Sequence, residues 1–210
     1  YVHGYIDTET GQDNLSSYDL VVVIKGPTRN TIVRRKEQIF GMWMNRMSVT
    51  FKDVYSFYDL ASTNMLDRIA SVETLEKHAI GLDFLSFDPK EAEIDQAALL
   101  TFQEALIRTK QSQALYALSP RSIDFISGPF FKTIFLLPPS VPTGEYSVEA
   151  YLFEGQDIID KQSLTLTIAQ VGVNAEIFQF ARDNAFLYGL SAILLALVFG
   201  WSAHAFLRQD

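Results

Sequence analysis

Asn184–Leu207 reads NAFLYGLSAILLALVFGWSAHAFL, 24 residues without an Asp, Glu, Lys or Arg. A helix needs about 20 mostly apolar residues to cross the hydrocarbon core of a bilayer. A helix that is apolar on every face leaves no side to present to water, as the surface helix of a soluble domain must. Phe186 and Tyr188 at one end and Trp201 and Phe206 at the other sit where interfacial aromatic anchors belong. The stretch therefore reads as a single membrane span, in preference to the buried C-terminal helix of a soluble domain. Within it Ala192, Ala196 and Gly200 recur at i+4, and His204 extends the row. Small residues on one helix face let another span approach closely.

The rest of the chain, about 180 of the 210 residues, suits one domain. Hydrophobic content of 48% is ordinary, so the span is a local feature. The net charge of −8 argues against a general nucleic-acid binder, which needs Lys and Arg for the phosphates. With no Cys there is no disulfide, thiolate nucleophile or zinc–thiolate site. The sequence begins at Tyr1, already strand-like and without Met, so a signal peptide and a first strand are expected to precede it. That places residues 1–170 outside the cytoplasm, 171–183 beside the membrane, 184–207 across it, and 208–210 as a short cytoplasmic tail. The Lys/Arg balance around the span is nearly even, and without a signal peptide the chain would be tail-anchored with a cytosolic domain.

Residues 1–60 read as β. Asp19–Lys25 (DLVVVIK) is an apolar run closed by Gly26-Pro27; 31–36, 41–51 and 54–58 follow as further strands. From 62 to 118 the period becomes helical. Asn64 is an expected cap for a short helix to Ala70, and Val72, Leu75 and Ala79 continue the pattern. Asp88-Pro89 and Asp95 are alternative starts for a longer helix to about Leu118, with Ala98, Leu99, Phe102, Ala105 and Leu106 inward and Glu104, Arg108 and Lys110 outward. Strands return at 129–137, 145–153 and 158–168. Tyr146, Val148, Ala150 and Leu152 share one face, and Leu164, Leu166 and Ile168 are expected to point inward. The Pro-x-Gly-x-Tyr-x-Val entry at 142–148 is common in immunoglobulin-like folds. The fold class is mainly β with an α insertion (α+β): an Ig-like β-sandwich carrying a helical insert, followed by one C-terminal transmembrane helix.

Several stretches together carry a resemblance: VVVIKGP (21–27), TIVRRKE (31–37), GMWMNRMSVTF (41–51), SFYDLAS (56–62), HAIGLD (78–83), ALIRTKQ (105–111), VPTGEYSVEAYLF (141–153) and VGVNAEIFQFARDNAFLYGL (171–190). The sequence resembles the alphaproteobacterial putative transmembrane protein family, which is defined by similarity rather than by a reaction. The resemblance implies a signal peptide, a β-rich region with a helical segment, and one C-terminal span in the bacterial inner membrane. Genes of the family often lie beside a sulfite-exporter-type (TauE/SafE) permease, which implies such a permease as a partner.

Two clusters invite a site. Lys25, Arg29, Arg34, Arg35, Lys36 and Arg46 set six positive charges between positions 25 and 46 against Glu37 alone. Arg34, Arg35, Lys36 and Arg46 are the candidate anion-binding set, because guanidinium forks suit sulfite, sulfonate or lipid phosphate oxyanions. A solvated strand face is the plainer reading. Met42, Met44 and Met47 around Trp43 could hold soft Cu(I), but filling the core explains them as well. Enzymatic motifs are missing, and His3, His78 and His204 have no metal-ligand spacing. Asp53, Asp59 and Asp83 are acid–base residue types that nothing in the sequence pairs. The expected function is a membrane-anchored, non-enzymatic accessory protein with a periplasmic domain and no cofactor, bound to lipid and to a membrane partner or to itself through the span. The alternative is a periplasmic oxyanion-binding or sensing module that uses the basic strand face.

Overall fold

A computed structural model of the chain describes residues 2–6, 18–39, 41–91, 94–169 and 181–207. The chain divides into two units, Tyr1–Ile168 and Ala169–Asp210. The first is mostly β-sheet with some helices. Its elements are β1 (Val2–Tyr5), β2 (Tyr18–Lys25), β3 (Thr28–Ile39), β4 (Met42–Tyr55), β5 (Tyr58–Ser62), α1 (Leu66–Ile69), α2 (Val72–His78), α3 (Gln96–Ser112), β6 (Arg121–Ser122), β7 (Asp124–Ser127), β8 (Phe130–Thr133), β9 (Gly144–Glu154) and β10 (Asp157–Ile168). The second contains α4 (Ala185–Leu207).

The run DLVVVIK becomes the central strand β2, buried from Leu20 to Lys25 because it is covered on both faces. Around it forms a sheet of order β10-β9-β2-β5-β6, antiparallel except for the β5–β6 pair. A second sheet has the order β1-β8-β7, and β3 with β4 forms a separate two-stranded ribbon. Ile6 and Phe131 beside the small sheet, Val21 and Tyr151 of the large one, Phe51 of the ribbon and Leu106 of α3 belong to one hydrophobic core.

Several local expectations need correction. Lys52-Asp53 does not break the strand: β4 runs through to Tyr55, and Asp53 at φ +49 takes up a bulge between the Arg29–Val54 and Thr31–Phe51 pairs. Asn64 does not cap α1; its side chain accepts from the N–H of Met65, which is the N-cap residue. Asp95 caps α3 by accepting from Ala98 N–H at 3.2 Å. Asp88-Pro89 instead lies along β4, where Pro89 bridges Phe51 and Lys52 N–H donates to the Asp88 carbonyl. The helix stops at Ser112, and Lys110 lies over the Tyr116 ring rather than facing away. The 129–137 stretch contains the shorter β8.

On β9 the buried set changes from Tyr146 and Val148 to Tyr151 and Phe153, with Ala150 and Leu152 only half-buried. β10 is an edge strand, and Leu164 is 69% exposed with Leu166 also open to solvent. A period of two says which residues share a face; it does not say which face is covered.

Candidate functional site

Helix α4 has no Asp, Glu, Lys or Arg, and His204 lies in its last turn. The stretch Ala185–Ser202 has a mean hydropathy of 1.9. Ser191 donates to the Tyr188 carbonyl at 2.8 Å and Ser202 to the Phe199 carbonyl at 2.9 Å, so both hydroxyls are satisfied within the helix. That matters in lipid, where an unpaired hydroxyl costs several kcal/mol, about 4–8 on an alkane scale. Ala192, Ala196 and Gly200 are exposed, and open space surrounds the place where a Cβ on Gly200 would sit.

Of the basic cluster, Arg29, Arg34, Arg35, Lys36 and Arg46 sit on the β3–β4 ribbon, and Lys25 ends β2. Val33 pairs with Val49 and Thr31 with Phe51, and Val49 and Phe51 are buried, so this end is rooted in the core. Beyond it Arg34 pairs with Ser48 and Arg35 with Met47, and all four are exposed. Arg34 and Arg35 are consecutive in an extended strand and face opposite ways. The register then shifts, so that Lys36 pairs with Asn45 and Arg46 falls between the residues opposite Arg35 and Lys36. The side chains of Lys36, Arg46, Trp43 and Met44 lie outside the described residues. Met42 is 64% exposed and Met47 is exposed too, so these two do not fill the core as expected.

Sequence reasoning missed a buried polar cluster on the large sheet. Lys25 Nζ donates to Glu149 Oε2 at 2.8 Å and to the His78 carbonyl at 3.0 Å. Tyr151 OH donates to the same Glu149 oxygen at 2.8 Å, and Lys161 Nζ lies 3.4 Å from the other. Burial pushes the Glu149 carboxyl up, but the bonds from Lys25 and Tyr151 and the charges of Lys25 and Lys161 more than reverse this and hold it below the ordinary carboxylate value. His78 stacks edge-on against Tyr151; burial first, then Lys161, Lys77 and Lys25, keep its imidazole below the ordinary value. Tyr58 donates to the Ala79 carbonyl at 2.9 Å and accepts from Gly81 N–H at 2.7 Å, and burial drives its hydroxyl far above the usual range. Only Lys25 could have flagged this cluster, as a charge closing an apolar strand.

Asp59 is buried. It accepts from Arg121 Nε at 2.6 Å and from Leu60 N–H at 2.8 Å. Burial outweighs both contacts, so its carboxyl titrates above the ordinary value. The pair borders a cleft of about 310 Å³ whose other walls include Tyr116, Leu118, Leu136 and Leu137. Asp53 and Asp83 are exposed. His3 lies on β1, His78 at the end of α2 and His204 on α4.

A family model described as "Putative transmembrane protein (Alph_Pro_TM)" matches residues 1–209. The chain belongs to that family. No curated protein and no solved structure matches it. Membership in a transmembrane family agrees with the one helix among the described residues that is long and apolar enough to cross a bilayer, and makes this a membrane-associated protein in contact with lipid.

Proposed function

We propose that this protein is a membrane-anchored, non-enzymatic accessory protein. Its β domain lies on the periplasmic side of the bacterial inner membrane, and α4 docks on another membrane protein. The observation that carries this reading is α4 itself: a 23-residue helix without Asp, Glu, Lys or Arg, with Ala192, Ala196 and Gly200 along one face. A sulfite-exporter-type permease is the partner the family resemblance points to, and a second copy of this chain is the other candidate.

The domain reads as an Ig-like sandwich. In that fold one sheet has the order A-B-E-D and the other G-F-C, extended by C′ in variable-type domains. Assigning β1, β2, β5, β7, β8, β9 and β10 to B, C, C′, D, E, F and G reproduces both orders, β1-β8-β7 and β10-β9-β2-β5. Tyr146, near the start of β9, donates to the Pro142 carbonyl at 2.5 Å, as a tyrosine corner does at the start of strand F. The ribbon and helices are then insertions after strands C and C′.

The test is affinity purification of the full chain from detergent-solubilised membranes. Ala196→Leu with Gly200→Leu should keep the protein in the membrane pellet and abolish co-purification of the permease or a second tagged copy. Undiminished co-purification would refute docking through that face. Full-length protein found in the high-speed supernatant without detergent would refute the anchor.

A further inference from the structure

The β3–β4 ribbon leaves the domain at the end from which the chain departs for α4. Lys25, the last residue of β2, pairs with Ser147 of β9, and Ser147 pairs with Thr165 of β10. Gly144 pairs with Ile168, the last residue of β10, and a Cβ on Gly144 would sit 3.0 Å from the Pro27 ring. The ribbon begins one residue later, at Thr28, so its root lies about two strand spacings, roughly 10 Å, from the exit of the domain. Sixteen residues separate Ile168 from Ala185, a link that can reach no further than about 60 Å.

From Arg34 onward the described residues of the ribbon are exposed on both faces, and among the described residues no third strand pairs with it. Gly41, at φ +81, carries the turn that sets Met42 opposite Ile39. This two-stranded part extends roughly 20 Å from Arg34 to the turn at about 3.3 Å per residue. Its far end has the sequence Ile39-Phe40-Gly41-Met42-Trp43-Met44, and the basic residues 34–36 and 46 stand behind it. The stretch Thr28–Tyr55 holds six Lys/Arg against two Asp/Glu, a net +4 that leaves −12 on the remainder of the −8 chain. An apolar, Trp-bearing sequence at the turn, flanked along both strands by basic residues, matches the two layers of a bilayer interface, acyl boundary and anionic headgroups. The acidic remainder is repelled by the same surface, which selects the ribbon as the part that meets it.

We propose that the end of the β3–β4 ribbon inserts into the headgroup layer of an anionic bilayer, giving the tethered domain a second membrane contact. This rests on the reading of α4 as the span, and the two can fail separately. The protein has two tryptophans, Trp43 on the ribbon and Trp201 in α4. Full-length Trp201→Phe protein in nanodiscs should show Trp43 emission that is blue-shifted and quenched by lipids brominated near the headgroup when the discs contain phosphatidylglycerol. In phosphatidylcholine discs, or at high salt, the quenching should largely disappear. Each basic side chain near an anionic surface is worth up to about fivefold, so Arg34→Ala should lower the docked-to-undocked ratio, by no more than about fivefold. Arg34 lies beyond the core-rooted end, and near-ultraviolet circular dichroism verifies that the variant folds. Equal Trp43 emission in the two lipids, or quenching only by aqueous acrylamide, overturns the proposal and leaves the ribbon to a protein partner. Trp43→Phe protein reports on the span alone: deep brominated lipids quenching Trp201 there keeps the anchor standing whatever Trp43 does.

Discussion

Replacing Glu149 with Gln removes one charge from the Lys25 cluster while keeping size and an acceptor. The Lys25 side chain is 9% exposed and that of Glu149 16%. In the variant the ammonium retains the His78 carbonyl, the Tyr55 ring 6.0 Å away and a neutral amide oxygen. Removing one partner of a buried pair costs about 3–5 kcal/mol. Glu149 reaches some water and also meets the exposed Lys161, so the lower end, about 3 kcal/mol, is expected. In a domain of this size each kcal/mol moves Tm by about 2–4 °C, so the melt should fall by about 10 °C. Near-ultraviolet circular dichroism of the full chain in detergent micelles follows the tyrosines of the β domain and ignores a helix the micelle holds intact. Adding Lys25→Met removes the stranded charge and should restore most of the loss, leaving about 1 kcal/mol for the His78 carbonyl that loses its donor. The sign with pH follows from a carboxyl held below its ordinary value. Its contribution is present above the unfolded value and is lost as pH falls through the folded one, so wild type and variant converge in acid. An unchanged Tm in the single variant, or a double variant no more stable than the single, would refute the idea that this pair matters as a pair.

Asp59→Asn should behave differently. Its carboxyl sits above the ordinary value, so ionisation opposes folding at neutral pH and the opposition fades as pH falls through the raised value. The amide still accepts from Leu60 N–H, and Arg121 at 31% exposure reaches water, so the change at pH 7 should stay within about 1 kcal/mol. Any advantage of the variant should shrink on acidification; a loss as large as that of Glu149→Gln in urea titrations would contradict this. Gly26→Ala would place a Cβ 2.6 Å from Ser56 Oγ and 2.9 Å from both the Phe57 backbone nitrogen and Tyr146 Cε1. A backbone atom cannot swing aside, so overpacking of about 1–3 kcal/mol should appear in the same titration. A neutral result would mean that β2 and β9 can separate at this end.

Features written in one dimension were legible without the structure. The span is a matter of length and missing charge, β2 of an apolar run closed by Gly26-Pro27, and α3 of Asp95 followed by apolar residues at helical spacing. Tertiary structure decided everything that depends on coverage and on distant partners. Leu164 and Leu166 carry the same alternation as a buried strand yet lie exposed on an edge, because neighbours and not periodicity determine which face loses its water. Lys25 meets Glu149 across 124 positions and Asp59 meets Arg121 across 62, separations at which no local pattern records a pairing. The basic stretch was visible as charge; only the β2–β9–β10 register set its root near Ile168, the last residue of β10, since hydrogen-bonded strands bring together residues that the sequence holds far apart.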